Sequence, residues 1–214
     1  MSRTGLFITF EGGDGSGKST QAQQLADWLV QRGETIVRTR EPGGTDVGHE
    51  VRELVLHHRG EIAPRAEALL YAADRAHHVA TVVRPALERG DIVIQDRYID
   101  SSIAYQGAGR TLDADEVRDL SLWATDHLLP DLTVLLDIDE AIARTRLDAA
   151  RTRYDRLEAE AAEFHARVRA AYLELAAAEP ERFLVLDATK PVDLLASAVR
   201  ARVESLLEIA GAAY

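Results

Sequence analysis

Short apolar runs alternate with longer helical stretches along this chain. Leu6-Phe7-Ile8-Thr9-Phe10 is a continuous apolar run that stops at Glu11 and a pair of glycines, which predicts a strand buried on both faces. From Ser19 to Arg32 the apolar residues fall at Ala22, Leu25, Ala26 and Leu29, a helical spacing closed by Gly33. Further strands are predicted at Thr35–Thr39, at Ile92-Val93-Ile94 before Asp96, at Thr133–Leu136 before Asp137 and at Phe183–Leu186 before Asp187. Helical patterns lie between them, over Asp46–His57, Pro64–Glu88, Asp113–Leu128, Glu140–Ala178 with an interruption, and Pro191–Ile209. Strands that alternate with helices imply βαβ units, hence a mainly parallel sheet covered on both faces. No repeat, low-complexity linker or boundary divides the chain, so one α/β domain over residues 1–214 is expected.

Composition narrows the class. At 214 residues, with 46% hydrophobic and 29% charged side chains, the chain can bury a sizeable core. No apolar run reaches the roughly 20 residues of a membrane span, and MSRTGLFITFEGG lacks a signal peptide's apolar region and cleavage site, so a cytoplasmic protein with no membrane partner is expected. The lack of cysteine excludes disulfides, thiolate metal sites and a cysteine nucleophile. A net charge of −11 argues against a nucleic-acid partner. Within this acidic chain, RTRLDAARTRYDR at 144–156 gathers five arginines, at 144, 146, 151, 153 and 156. A solvated helix face could carry them, but guanidinium groups in such density suit phosphates.

The residues Gly12-Gly13-Asp14-Gly15-Ser16-Gly17-Lys18-Ser19 match GxxxxGK[ST] in full, after a predicted strand and at the opening of a predicted helix. Glycines let successive backbone N–H groups turn around an anion, and the helix N-terminus adds its partial positive charge. Lys18 can reach the β- and γ-phosphates of ATP, and the Ser19 hydroxyl can ligate Mg²⁺. The fate of the bound phosphates depends on residues outside this loop. The guanine reader of a GTPase is missing, because Thr189-Lys190-Pro191-Val192 has valine where aspartate belongs. Asp96, at the end of the third strand, is followed by Arg97 rather than by a second acid. A cation beside a Mg²⁺-facing carboxylate points to a second anion, such as an acceptor phosphate, and so to a small kinase.

FEGGDGSGKST at 10–20, TREPGGT at 39–45, LLYAADRAHH at 69–78, DRYIDSSIAYQGAGR at 96–110 and YDRLE at 154–158 occur in the order and spacing of bacterial thymidylate kinases, which the chain resembles over nearly its whole length. The resemblance implies a P-loop kinase fold, with a five-stranded parallel sheet flanked by helices and a short Arg-rich lid at about 144–158. It also implies transfer of the ATP γ-phosphoryl group to dTMP with Mg²⁺, in a cytoplasmic homodimer. Residue by residue, Arg97 resembles the clamp on the acceptor phosphate and Arg52 a second contact to it. Asp96 resembles the carboxylate that holds Mg²⁺ with Ser19, and Glu41-Pro42 a turn with a cis proline. Tyr71 stands where the family usually has phenylalanine stacked on thymine, and Arg75 follows one helical turn later on the same face. Ser101 and Ser102 resemble a pair near the base edge, with Gln106 continuing that surface. Tyr105 resembles the residue beneath the sugar that excludes a 2′-hydroxyl, and Asp14 an acidic position facing the 3′-hydroxyl. Thr20 continues the ATP-binding loop. Family members take a catalytic arginine either from the P-loop or from the lid. Gly15-Ser16 leaves no cation in the loop here, so Arg151 is expected to act in catalysis, with Arg146 and Arg153 beside ATP. A kinase for another nucleoside monophosphate or a deoxynucleoside, and a regulatory ATP-binding switch, remain the alternatives.

Overall fold

The computed structural model describes residues 5–110, 112–150, 155–158 and 160–212. In chain order the elements are β1 (Leu6–Glu11), α1 (Lys18–Gln31), β2 (Ile36–Arg40), α2 (Asp46–His57) and α3 (Pro64–His78), the last running through a π-helical turn (Val79–Val83) into α4 (Arg84–Glu88). Then come β3 (Ile92–Asp96), α5 (Ile99–Ser102) continued by a second π-helical turn (Ile103–Ala108), α6 (Ala114–Ala124), β4 (Leu132–Asp137), α7 (Glu140–Ala150), α8 (Ala162–Ala178), β5 (Phe183–Asp187) and α9 (Val192–Ala212).

The five strands form one sheet in the order β2-β3-β1-β4-β5, with all four pairings parallel. The pleat sorts side chains to the two faces. Ile8, Phe10, Ile92, Ile94, Leu132 and Val134 pack with Leu25 and Leu29 of α1 and with Val199 and Val203 of α9. Phe7 and Val93 face the other way, against Val79, Val83 and Tyr98. Each fully buried side chain of this kind contributes about 1.5–3 kcal/mol. Continuous burial holds for β1, β3 and β4, whereas β2 and β5 are the sheet edges and alternate between covered and exposed positions. An edge strand packs against one neighbour only, so its apolar run is not enclosed. No helix among the described residues is long and apolar enough to cross a membrane.

Two helical expectations need adjustment. The predicted helix Pro64–Glu88 is interrupted where the Arg84 N–H reaches back five residues to Val79 O. Pro85 follows directly, and its missing N–H and its ring disrupt ordinary i→i−4 bonding there. The predicted helix Asp113–Leu128 has Asp113 as its cap rather than its first turn, and it ends at Ala124. Asp126 and His127 then take left-handed φ values of 48° and 55°. The carboxyl ends of β1, β2 and β3 all open at one rim of the sheet, where a parallel α/β sheet binds ligands.

Candidate active site

Gly12 to Gly17 link the end of β1 to the start of α1. Gly12 has φ 127°, and a Cβ there would lie 2.4 Å from Leu136 O; at Gly15, with φ 76°, it would lie 2.8 Å from Ala143 O. Only glycine fits either position. Lys18 folds back over the loop and donates to Gly12 O at 3.0 Å and Gly13 O at 2.9 Å. Burial lowers its pKa, and the nearby Arg97 cation lowers it further. An anion in the loop would relieve both effects, so the ammonium is poised to exchange carbonyls for phosphate oxygens. The Ser19 hydroxyl donates to Asp96 Oδ2 at 3.3 Å, while Asp96 Oδ1 is buried with no hydrogen-bond partner among the described residues. A hydroxyl beside a carboxylate with one oxygen orphaned fits a hard divalent cation.

The loop opens on a cavity of about 470 Å³. Asp14, Gly15, Gly17, Lys18, Ser19, Thr20 and Arg146 line its P-loop end. Asp96 and Arg97 stand in the middle, and Pro42, Arg52, Tyr71, Arg75, Ser101, Ser102, Tyr105 and Gln106 form the other end. Of the loop residues expected at the phosphates, Gly12 and Gly13 face a neighbouring cavity instead and Ser16 is buried.

Arg97 is the pivot. Its backbone has φ 67°, a left-handed conformation uncommon outside glycine, held by N–H donation to Phe10 O at 3.0 Å and by Gln95 Nε2 on its carbonyl at 3.0 Å. Its guanidinium donates to Asp14 Oδ1 at 2.7 Å and to the hydroxyls of Ser101 and Tyr105 at 3.3 Å each, and it lies 4.9 Å from the Tyr105 ring centroid. Burial alone would lower its pKa; Asp14, with smaller contributions from Tyr105, Tyr172 and Asp96, outweighs burial and keeps the cation charged.

Arg75 is buried, and four of its five N–H donors are engaged. It donates to Glu41 Oε2 at 2.8 Å, Ser121 Oγ at 3.0 Å, Ser102 Oγ at 3.0 Å and Tyr98 O at 3.2 Å. The other Glu41 oxygen meets His78 Nδ1 at 2.9 Å, and His78 Nε2 meets Thr39 Oγ1 at 2.6 Å. The Glu41-Pro42 bond is cis, and Arg52 Nη1 donates to Pro42 O at 2.9 Å. Burial, then repulsion from Arg40, lowers the Arg52 pKa, which favours an anion between these two arginines.

The family model described as thymidylate kinase matches residues 10–199. The thymidylate kinase of Leifsonia xyli subsp. xyli is 73% identical over 202 residues, covering 94% of this chain and 96% of that protein. The thymidylate kinase of Clavibacter sepedonicus is 71% identical over 204 residues, with 95% and 97% covered. The crystal structure of thymidylate kinase from Ehrlichia chaffeensis superposes with a TM-score of 0.72 at 35% identity, covering 86% of this chain and 93% of that one.

The chain belongs to the thymidylate kinase family. It is an enzyme of the P-loop α/β type that phosphorylates dTMP to dTDP in dTTP synthesis.

Thymidylate kinase motifs account for most of the cavity wall, and four buried groups support it from behind, two of them (Glu11 and Glu41) within those motifs and two (Glu67 and Tyr172) outside them. Glu11, at the end of β1, accepts from Ser101 Oγ at 2.6 Å, Tyr98 N–H at 2.7 Å and Tyr172 O–H at 2.9 Å. Burial, then the nearby Asp100 carboxylate, pushes its pKa up to about 7. Ser101 therefore serves Glu11 and Arg97, while Ser102 serves Arg75. Tyr172 of α8 contacts Arg97 as well, at 3.4 Å. Glu41 and Glu67 are the other two, each anchoring arginines that the motifs contain. Glu11 and Glu41 carry a signal in the sequence, being charges placed at the ends of strand patterns; Glu67 and Tyr172 carry none.

Of the five clustered arginines, Arg151 and Arg153 lie outside the described residues. Arg146 reaches the P-loop, donating to Gly15 O at 3.5 Å and Ala188 O at 3.0 Å. Arg144 donates to Glu158 O at 3.3 Å. Arg156 turns away from the P-loop to a buried carboxylate, Glu67. The three described members of the cluster therefore take separate directions, and Arg146 alone among them bonds the P-loop.

Proposed function

We propose that the two ends of the cavity hold ATP and dTMP with their phosphates meeting at Arg97, in a single domain with a lid at about 144–158. The observation that carries this reading is the shared cavity: Lys18 and the P-loop at one end, Tyr71, Arg75 and Gln106 at the other, and Arg97 between them. ATP is the phosphoryl donor on the P-loop, from Gly12 to Thr20, with Arg146 and Arg153 beside it. Ser19 and Asp96 hold Mg²⁺, which when bound offsets charge on the donor's phosphates. Tyr71 stacks on thymine, and Ser102 with Arg75 meets the base edge. Tyr105 lies beneath the sugar, and Asp14 faces its 3′-hydroxyl. Arg52 and Arg97 grip the acceptor phosphate, and Ser101, itself anchored by Glu11, holds Arg97 in place.

A dTMP phosphate oxygen attacks the γ-phosphorus in line, and the bond from that phosphorus to the β-γ bridging oxygen breaks, giving dTDP and ADP. Such transfers depend on positioning and charge neutralisation rather than covalent help from the protein. Lys18 and Arg97 supply fixed cations at the centre. Arg151 supplies the further cation that Gly15-Ser16 does not.

The enzyme acts as a homodimer in the cytoplasm, where these nucleotides are held. Support for a dimer comes from α2, α3 and α6, which pack side by side and expose Leu54, Leu69 and Trp123, the last 78% exposed. Apolar side chains of this size on adjoining helices suit a second copy. ATP consumption measured against dTMP, dUMP, AMP, GMP and CMP tests the assignment. dTMP is expected to be preferred, with dUMP weaker by the roughly 1–3 kcal/mol that one methyl contributes. Comparable turnover of AMP, GMP or CMP would refute it, and ATP turnover indifferent to every acceptor would favour a switch.

A further inference from the structure

Glu67, in the first turn of α3, is completely buried. A carboxylate there needs cationic or hydrogen-bonding partners, since an unpaired buried charge is strongly unfavourable. Its partners are three side chains from two separate parts of the chain. Gln106 Nε2 donates to Oε1 at 3.0 Å, Arg110 Nη2 lies 3.5 Å from Oε2, and the Arg156 guanidinium pairs with the same oxygen. Arg156 has two further ties, Nε to Val55 O at 2.8 Å and its backbone N–H to Leu56 O at 3.2 Å, both at the end of α2. The residues on either side of it, Asp155 and Leu157, line the same cavity as Leu56, Tyr71 and Gln106.

These contacts do two things. They fix the segment 155–158 against α2, so that Leu157 packs in the apolar cluster of Val55, Leu56, Tyr71 and Tyr105. They also fix the Gln106 side chain: a carboxylate only accepts, so Glu67 selects the amide NH₂ and dictates which way the amide faces. Both consequences fall at the Tyr71 end of the cavity, whereas Arg146 bonds the P-loop carbonyl of Gly15.

We propose that Arg156 is a positioning residue for the acceptor nucleotide, acting through Glu67 and Gln106, and not one of the arginines that meet the donor's phosphates. The proposal rests on the assignment of the Tyr71 end to dTMP. It predicts a split between substrates that a general loss of stability would not produce. In Arg156→Met and in Glu67→Gln, dTMP affinity measured by calorimetry without ATP falls about 10–100-fold, the scale of a misplaced substrate contact. KM for dTMP rises in parallel, and KM for ATP stays within about twofold. Because both residues act through one contact, the double variant is no worse than the weaker single variant.

Arg156→Lys covers the case in which the methionine variant does not fold. It keeps a charge beside Glu67 but cannot hold Val55 O at the same time, so it binds dTMP less tightly than wild type at unchanged KM for ATP. Wild-type dTMP affinity in both Arg156→Lys and Glu67→Gln overturns the proposal. So does a loss confined to KM for ATP or to kcat, which would return Arg156 to the donor side. Wild-type turnover of dTMP tests the functional assignment separately, since the proposal is read only from variant-to-wild-type ratios.

Discussion

Replacing Arg75 by methionine removes a charge held by four hydrogen bonds, all to buried partners. Arg75 is 2% exposed and its partner Glu41 is 2% exposed, so neither charge is screened by water. Removing the guanidinium leaves the Glu41 carboxylate with His78 and strips Ser102 and Ser121 of a donor. Leaving one member of a buried ion pair alone costs about 3–5 kcal/mol. Against a typical total of about 5–15 kcal/mol this is a large fraction, equivalent to a fall in Tm of about 6–20 °C for a chain of this size. Adding Glu41→Gln removes the stranded charge while keeping an acceptor for His78 Nδ1–H. The double variant is therefore expected to recover at least about 2 kcal/mol relative to Arg75→Met, within the usual range of coupling between contacting residues. Urea unfolding at about pH 7.5 with a common m value would measure both quantities, and dTMP turnover would fall in both variants because Arg75 lines the cavity. A cost below about 1 kcal/mol for Arg75→Met, the size of an exposed pair, would refute the reasoning. Strict additivity in the double variant would refute it equally.

Glu11 sets a pH dependence of stability. Its native pKa of about 7 lies above the ordinary value of 4.5, so the native state retains a proton the unfolded chain has lost, and stability falls as pH rises from about 4.5 through about 7. Asp74, pushed up to about 6 from 3.8 by burial and then by Glu41, adds to the same slope at lower pH. Glu11→Gln should flatten the urea midpoint between about pH 5 and 8; an unchanged slope would assign the effect elsewhere. Arg97→Ala should raise KM for dTMP and lower kcat together, whereas Arg151→Ala should lower kcat by about 10³ or more with KM for dTMP changed much less. If Arg153→Ala shows the collapse instead, the catalytic arginine is two residues later. Tyr105→Ala should raise turnover of the ribonucleotide relative to dTMP, and an unchanged ratio would assign sugar selection to another residue.

Local signals made the framework legible. β1, β3 and β4 are continuous apolar runs because helices cover both faces, and the P-loop is a contiguous string whose chemistry depends on neighbours in sequence. The far end of the cavity is different in kind. Arg97 is legible from its place beside Asp96 at the end of the third strand, but Tyr71 and Tyr105 are reached through resemblance, since no spacing rule links a helix aromatic to a residue after that strand. The groups that fix these residues are out of reach for the same reason. The Tyr172 hydroxyl meets Glu11 across 161 positions, and Arg156 meets Glu67 across 89. A buried carboxylate looks like any other acid until the fold brings its arginine to it. The π-helical turn at Ile103–Ala108 is similarly hidden, because it has no sequence period of its own and is stabilised by packing against α6 and α8.

The arrangement also reconciles an acidic protein with anionic substrates. The chain carries a net charge of −11, yet the cavity is lined by Lys18, Arg40, Arg52, Arg75, Arg97 and Arg146 against Asp14, Glu41, Asp96 and Asp155. Charges on the outer surface are screened beyond about 8 Å at physiological ionic strength, so a nucleotide inside the cavity responds mainly to its lining. The acids there are not merely subtracted from the cations. Glu41 holds Arg75 and Asp14 holds Arg97, so the guanidinium groups are oriented before substrate arrives. Arginine suits this double duty better than lysine, since its planar fork can keep an internal carboxylate on one edge and offer the other. Orientation established in advance is energy that binding need not supply, and in phosphoryl transfer it is placement of charge that accelerates the reaction.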